Sequence, residues 1–230
     1  MKIEWVNHAS FVLEKDDIRI ITDPWLEGTI FDNGWSLMSQ TKFTYEDFNN
    51  ITHIWFSHEH PDHFFPPNIK KIPAEYRKNI TVLFQQTLDK KVVNLCKELG
   101  FARVIELIPN KEYEVSDDLK LICSPFGHDS WMCYKTSTIT IVNINDCEFS
   151  KREQLLDVAR RVGKVDLLLT QFSYAGSPGN EQAALAKREK LKLQANVLKP
   201  RFLIPFASFV WFCHEENYYM NKAINKIGDM

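Results

Sequence analysis

A run rich in β-branched and aromatic residues, Ile51–Phe56, breaks directly into Ser57-His58-Glu59-His60-Pro61-Asp62-His63. This junction constrains the fold more than any other feature. The run has the composition of a buried strand. The segment after it holds three of the chain's 7 histidines. A buried strand that ends in a cluster of polar side chains belongs to an α/β sheet, where loops beyond strand ends assemble sites. In extended chain, residues i and i+2 point the same way, so His58 and His60 can grip one metal ion together. Pro61 turns the chain and presents Asp62 and His63 to a second ion. Nitrogen and carboxylate donors without thiolate suit zinc, iron or manganese.

The rest of the chain alternates strand and helix signals. Lys2–Val6, Ser10–Glu14 and Ile18–Thr22 read as short strands, with a charged turn at Lys15-Asp16-Asp17. A helix follows Thr87 and stops at Gly100. Leu119–Ser124 and most of Thr136–Asn143 read as strands. Ser150 and Glu153 form a capping-box pattern for a helix ending at Gly163. Val165–Thr170 and Arg201–Pro205 are further strands, separated by a long surface helix over Gly179–Leu198, and a short helix follows His214. Interleaved strands and helices indicate the α/β class.

Two ions need more ligands than one loop supplies. His128, Asp146 and His214 each lie at or just past the end of an expected strand or apolar run, and they are the candidates. His8 is a candidate for substrate contact or for support behind the ligands. Trp25, Trp35, Trp131 and Tyr174 are candidate pocket walls, as is Phe206–Trp211, which immediately precedes His214. His53, within the strand, reads as structural.

His58-x-His60-x-Asp62-His63 resembles the signature of the metallo-β-lactamase superfamily. The order of an early Thr22-Asp23-Pro24, the His-rich loop, a His, an Asp and a last His is similar too. Asn7-His8-Ala9-Ser10-Phe11 resembles the opening of the branch that includes ascorbate-6-phosphate lactonase. Three other stretches are closer to the metal domain of CMP-N-acetylneuraminate hydroxylase: Thr22–Leu26, Phe172–Gly176, and Pro205–Phe209 followed by His214.

The resemblance implies a four-layer αβ/βα sandwich, with residues 1–230 as a single metallo-β-lactamase-like domain. It implies His58, His60 and His128 on one ion, Asp62, His63 and His214 on the other, and Asp146 as the bridge. It makes Asp23 a group that steadies the His-rich loop from behind.

The leading expectation is a binuclear metal-dependent hydrolase. Two divalent ions, zinc first among them, would generate hydroxide near neutral pH, and Asp62 or Asp146 would take or relay the proton. Its substrate would be a small ester, lactone, amide or phosphodiester. The alternative is a di-iron oxygenase related to the sialate hydroxylase. It would need a separate electron-transfer partner, because no Cys-x-His or Cys-x-x-His pair of a Rieske centre is present.

Charge narrows the partners. With 28 Lys+Arg against 30 Asp+Glu, the net charge of −2 gives no broad attraction for nucleic acid or anionic membrane. The longest nearly apolar run, Phe202–Phe212, is too short to span a bilayer, which takes about 20 residues. No secretory signal is visible at the start, and the 5 cysteines are scattered. The expected location is therefore the cytoplasm.

Overall fold

The computed structural model describes residues 1–176 and 178–230. The chain opens with β1 (Lys2–Asn7), β2 (Ser10–Lys15) and β3 (Ile18–Thr22). It detours through β4 (Trp35–Leu37), then returns with β5 (His53–Phe56), β6 (Thr81–Gln85) and β7 (Arg103–Leu107). These form a six-stranded sheet in the order β1-β2-β3-β5-β6-β7. Its first three strands are antiparallel, and β3, β5, β6 and β7 run parallel. A second six-stranded sheet contains β8 (Glu112–Ser116), β9 (Leu119–Phe126), β10 (Asp129–Lys135), β11 (Thr140–Asn145), β12 (Leu167–Gln171) and β13 (Phe202–Phe206), with each strand beside the next. β14 (Val210–Phe212) pairs with β4. The helices are α1 (Pro66–Lys71), α2 (Ala74–Arg77), α3 (Lys91–Glu98), α4 (Arg152–Val162) and α5 (Glu181–Leu198).

Strand alternation sorts the side chains into three apolar layers. In β5 and β6, Trp55 and Leu83 point inward, while Ile54, Phe56, Val82 and Phe84 point outward onto Val92, Val93 and Cys96 of α3. In β9 and β10, Leu121, Cys123, Met132 and Tyr134 meet the first sheet, while Ile122, Trp131 and Cys133 face Leu155, Val158 and Val162 of α4. Helix, sheet, sheet and helix therefore stack as four layers, the architecture of the metallo-β-lactamase fold. Among the described residues, no helix is long and apolar enough to cross a membrane.

Some local readings change. Thr136–Ile139 is a turn, in which the Thr136 hydroxyl accepts from the Thr138 and Ile139 amides, and the strand starts at Thr140. The Ser150/Glu153 capping pair does not form. Instead the Gln154 side-chain oxygen accepts from the Ser150 and Lys151 amides, at 3.3 and 3.1 Å. β8 and β10 carried little strand signal, because β8 is a charged edge and β10 has no β-branched residue.

The Tyr134 hydroxyl is buried between the sheets without a hydrogen-bond partner, its ring edge-on to Phe11 and Trp55. A buried unpaired hydroxyl is destabilising. Tyr134→Phe should therefore raise stability by about 1 kcal/mol, read as a higher urea midpoint at unchanged m value. A lowered midpoint would show that the hydroxyl is satisfied.

Candidate metal centre

The site lies where strand ends of both sheets converge. The β5 strand delivers the His58–His63 loop, and the turn between β1 and β2 delivers His8. Asp23 follows β3, Asp129 opens β10 and Asp146 follows β11. Backbone irregularity marks three of these places. His8, Asp23 and Asn145 have φ of 24°, 38° and 52°. The pairing registers of β1 and β11 shift between Trp5 and Asn7 and between Asn143 and Asn145. Such bulges re-aim side chains beside functional sites.

The buried Asp23 carboxylate organises the loop. Its Oδ1 accepts from the Ser57 amide at 2.7 Å. Its Oδ2 accepts from the Ser57 hydroxyl at 2.7 Å and the Asn145 amide group at 2.6 Å. His63 Nδ1 lies 2.9 Å from the same oxygen. With Nδ1–H donating to Asp23, Nε2 faces the cluster and is the nitrogen that can ligate a metal. His58 is oriented similarly, its Nδ1 lying 2.9 Å from the Ser57 hydroxyl. The Ser57 carbonyl accepts from Ser130 Oγ at 2.6 Å and Gln85 Nε2 at 3.1 Å, which ties the loop to β10 and β6.

In front of Asp23, three overlapping groups bring donor atoms within 4.8 Å of one another: His8, Asp62 and His63; His58, His63 and Asp146; His58, His60 and Asp129. Asp62 Oδ2 lies 3.3 Å from His8 Nε2 and 3.2 Å from His63 Nε2. Asp146 Oδ2 lies 3.3 Å from His63 Nε2. His58 Nε2 lies 2.9 Å from His60 Nδ1 and 3.5 Å from Asp129 Oδ1.

The electrostatics call for a cation. Burial opposes ionisation of Asp62, but the imidazoles of His63 and His8 hold its carboxyl well below the ordinary value. Burial likewise opposes the charged form of His63, yet Asp62, Asp146 and Asp23 raise it well above normal. Burial and the neighbouring His63 push His58 down to about 3. Burial and the charge of Asp146 push Asp129 up to about 6. Among the described residues, no lysine or arginine pairs with Asp23, Asp62, Asp129 or Asp146; their ionic partners are histidines. His8 Nδ1, Asp62 Oδ1, His63 Nε2 and Asp146 Oδ1 are buried without hydrogen-bond partners. Buried nitrogen and carboxylate atoms left unpartnered on residues of these groups fit bound metal.

The structure thus brings together His58, His60, Asp62, His63 and Asp146 from the sequence-derived set, and adds His8 and Asp129. His128 is a correction. It sits exposed at the tip of the turn joining β9 to β10, where Asp129 pairs with Phe126. Its carbonyl accepts from Gln85, and its side chain borders a separate groove with Glu59 and Asp89. The adjacent His128-Asp129 pair was the available signal, since neighbouring residues of a hairpin point apart.

His214 is a second correction. It is exposed and opens a turn in which its amide donates to Asn217 Oδ1 at 3.1 Å. Phe206–Trp211 does not wall the site either. Phe206 fills the core between the sheets, Phe209 packs 5.1 Å from Trp5, and Trp211 packs on Tyr218.

The cleft in front of the cluster measures about 570 Å³, and its walls include Phe31, Trp35, Tyr174, Lys187 and Lys190. Trp25 is buried, edge-on to His8 at 5.8 Å. The Tyr174 hydroxyl donates to the Met220 carbonyl. Trp131 is core, and His53 stays in β5 with Nδ1 2.8 Å from the Thr52 hydroxyl.

Asp23→Asn would turn an acceptor towards neighbouring donors into a donor itself. The expected result is a loss of about 2 kcal/mol in chemical denaturation, with lowered metal content after metal-replete expression. Unchanged values for both would show that the carboxylate organises nothing.

Residues 2–207 match the beta-lactamase superfamily domain. The inactive cytidine monophosphate-N-acetylneuraminic acid hydroxylase of Homo sapiens is 26% identical over 249 residues, covering 98% of this chain and 48% of that protein. A putative Rieske 2Fe-2S iron-sulfur protein of Mycolicibacterium smegmatis is 26% identical over 190 residues, covering 76% of this chain and 35% of its own. The chain thus spans less than half the length of these relatives. Among solved structures, CmlA, a diiron beta-hydroxylase from Streptomyces venezuelae, superposes with a TM-score of 0.69 at 16% identity, covering 90% of this chain and 44% of that one. An isothiocyanate hydrolase from Delia radicum gut bacteria superposes with a TM-score of 0.61 at 15% identity, covering 91% and 98%. Both are likenesses of fold. The match over residues 2–207, on a four-layer sandwich with its polar cluster at the strand ends, makes the chain a member of the beta-lactamase superfamily.

Proposed function

We propose that the chain is a binuclear metal-dependent oxygenase that hydroxylates a small organic substrate at a di-iron centre, with electrons from a separate donor. One observation carries this reading. The two outer donor groups, His58/His60/Asp129 and His8/His63/Asp62, each consist of two histidines and one carboxylate. That composition is the facial triad of non-haem Fe(II) oxygenases, although two histidines and a carboxylate also hold zinc in some hydrolases. The relatives named as hydroxylases and the fold of CmlA support the same direction.

On this reading His58, His60 and Asp129 hold one ion, and His8, Asp62 and His63 hold the other. Asp146, grouped with His58 and His63, would add a negative charge beside both. When bound, such a pair supplies activation of dioxygen. The chain's own part is positional. Asp23 and Ser57 fix the ring tautomers of His63 and His58. Phe31, Trp35 and Tyr174 give the cleft an apolar wall.

Metal-dependent hydrolysis is the second reading. The exposure of His60 favours it, because water reaches that side of the cluster directly.

Metal analysis and electron paramagnetic resonance on protein expressed with iron and purified without oxygen separate the two. The expected outcome is about two irons per chain and reductant-dependent oxygen uptake. Zinc retained in place of iron, with oxygen-independent cleavage of nitrophenyl esters, would overturn the oxygenase reading. Asp129→Ala should roughly halve the iron content, and Asp146→Asn should lower it and abolish turnover. His128→Ala and His214→Ala should leave the metal content unchanged. Metal loss in either of these two would return those histidines to the ligand set.

A further inference from the structure

Lys187 and Lys190 stand one helical turn apart on α5 and line the same cleft as His60, Asp62, Asp129 and Asp146. Neither belongs to the donor cluster. The Lys187 side chain is only 12% exposed. Its ammonium donates to Glu148 and to Gln171, and the Lys190 ammonium donates to the other oxygen of Glu148. One carboxylate therefore serves two ammonium groups, leaving a net charge of +1 on this wall. An ammonium has three donors, so Lys187 has one and Lys190 two beyond these bonds. Glu148 has an exposed side chain and follows Asp146 in the chain by two residues, so its backbone is anchored close to the cluster.

The same cleft carries an aromatic rim. Phe31 is 41% exposed, with its ring 4.7 Å from that of Trp35. It opens three consecutive non-glycine residues with left-handed backbone, Phe31, Asp32 and Asn33, at φ of 50°, 52° and 63°. That run is strained, and its surroundings hold it in place. The Gly34 amide donates to the Phe31 carbonyl at 2.8 Å, Cys213 Sγ donates to the Asn33 carbonyl, and Asn217 donates to the Gly34 carbonyl. At Gly34 a Cβ would come within 2.8 Å of the Phe31 carbonyl oxygen, so the turn requires glycine. The fold thus spends backbone strain to keep an exposed phenyl ring at the mouth of the cleft.

We propose that this cleft binds a small organic anion bearing a planar ring, its acid group received by Lys187 and Lys190 in place of Glu148, its ring against Phe31 and Trp35. Glu148 is the internal occupant of the anion subsite in the absence of substrate. Charge complementarity gives the acid group its place, and the ring buries apolar surface on the rim. The substrate class rests on the reading of the neighbouring cluster as the reaction centre; the anion subsite is a separate property of α5 and Glu148.

The test is calorimetric titration of the metal-loaded protein with phenyl phosphate, with benzyl alcohol as the neutral control, and metal content measured on the same samples. Lys190→Met and Lys187→Met should each weaken phenyl phosphate about tenfold or more and leave metal content unchanged. Glu148→Gln should tighten it, because the competing carboxylate is gone. The sign of that change separates a subsite from a mere tether between α5 and the segment after β11. A tether would lower the melting temperature in all three variants without raising affinity in Glu148→Gln.

Affinity unchanged by the lysine substitutions would place the anion on the metals and overturn the proposal, as would weaker binding in Glu148→Gln. If Lys187→Met fails to fold, the more exposed Lys190 and Glu148 carry the test. Lysine-dependent binding in protein that retains no metal would uphold the subsite and overturn the metal reading alone.

Discussion

The buried carboxylate of Asp23 is the interaction on which the rest of the site depends. It collects the Ser57 amide and hydroxyl, the His63 ring and the Asn145 side chain. Ser57 and His63 belong to the first sheet's loop and Asn145 to β11 of the second, so one side chain clamps the two sheets at the edge where they open. The clamp also has a chemical effect. By taking the proton-bearing nitrogen of His63, it leaves the other nitrogen, beside Asp62 and Asp146, as the one that can ligate a cation. A fully buried negative charge is costly unless it is well hydrogen-bonded, and here four donors surround it.

That arrangement explains why so much polar chemistry gathers in a sandwich otherwise filled by Phe, Trp, Leu and Ile. The inter-sheet core ends with residues such as Trp55 and Cys123, and the strands then pass into left-handed or bulged backbone. Each irregularity turns a side chain that would continue the apolar face towards the cluster. Gln85 and Ser130 meet the Ser57 carbonyl from β6 and β10, so that carbonyl is satisfied without water. Function sits at the strand ends because the ladder pattern stops there and the backbone is free to take other shapes.

The four layers followed only from the resemblance that the His-rich motif carries, whereas the α/β class and the His58–His63 loop were legible in the sequence because both are written locally, in alternation along strands and in a dense motif. Asp146 was legible for the same reason, standing directly after a strong strand. His128 and His214 have a ligand's residue type at strand ends, but side-chain direction depends on register and on the partner strand, which no local pattern records. β10, which positions Asp129, reads Asp-Ser-Trp-Met-Cys-Tyr-Lys and has weak strand propensity; its pairing with β9 and β11 decides its form. The cleft walls from Phe31, Trp35 and α5 are distant in sequence from the loop, and no local pattern announces their meeting.

The turn between β9 and β10 has a further consequence. Gly127 and His128 form its tip, and because Phe126 pairs with Asp129, the carboxylate faces His58 while the imidazole faces solvent. Side-chain parity along a hairpin reverses with a shift of one residue. A one-residue shift in the β9–β10 register would therefore turn Asp129 away from His58, and it would also turn Met132 and Tyr134 out of the space between the sheets. Donor type governs which metal a site prefers. The oxygen donor at this place is thus locked in by the packing of the strand behind it, and the neighbouring imidazole takes its position only if the space between the sheets is repacked.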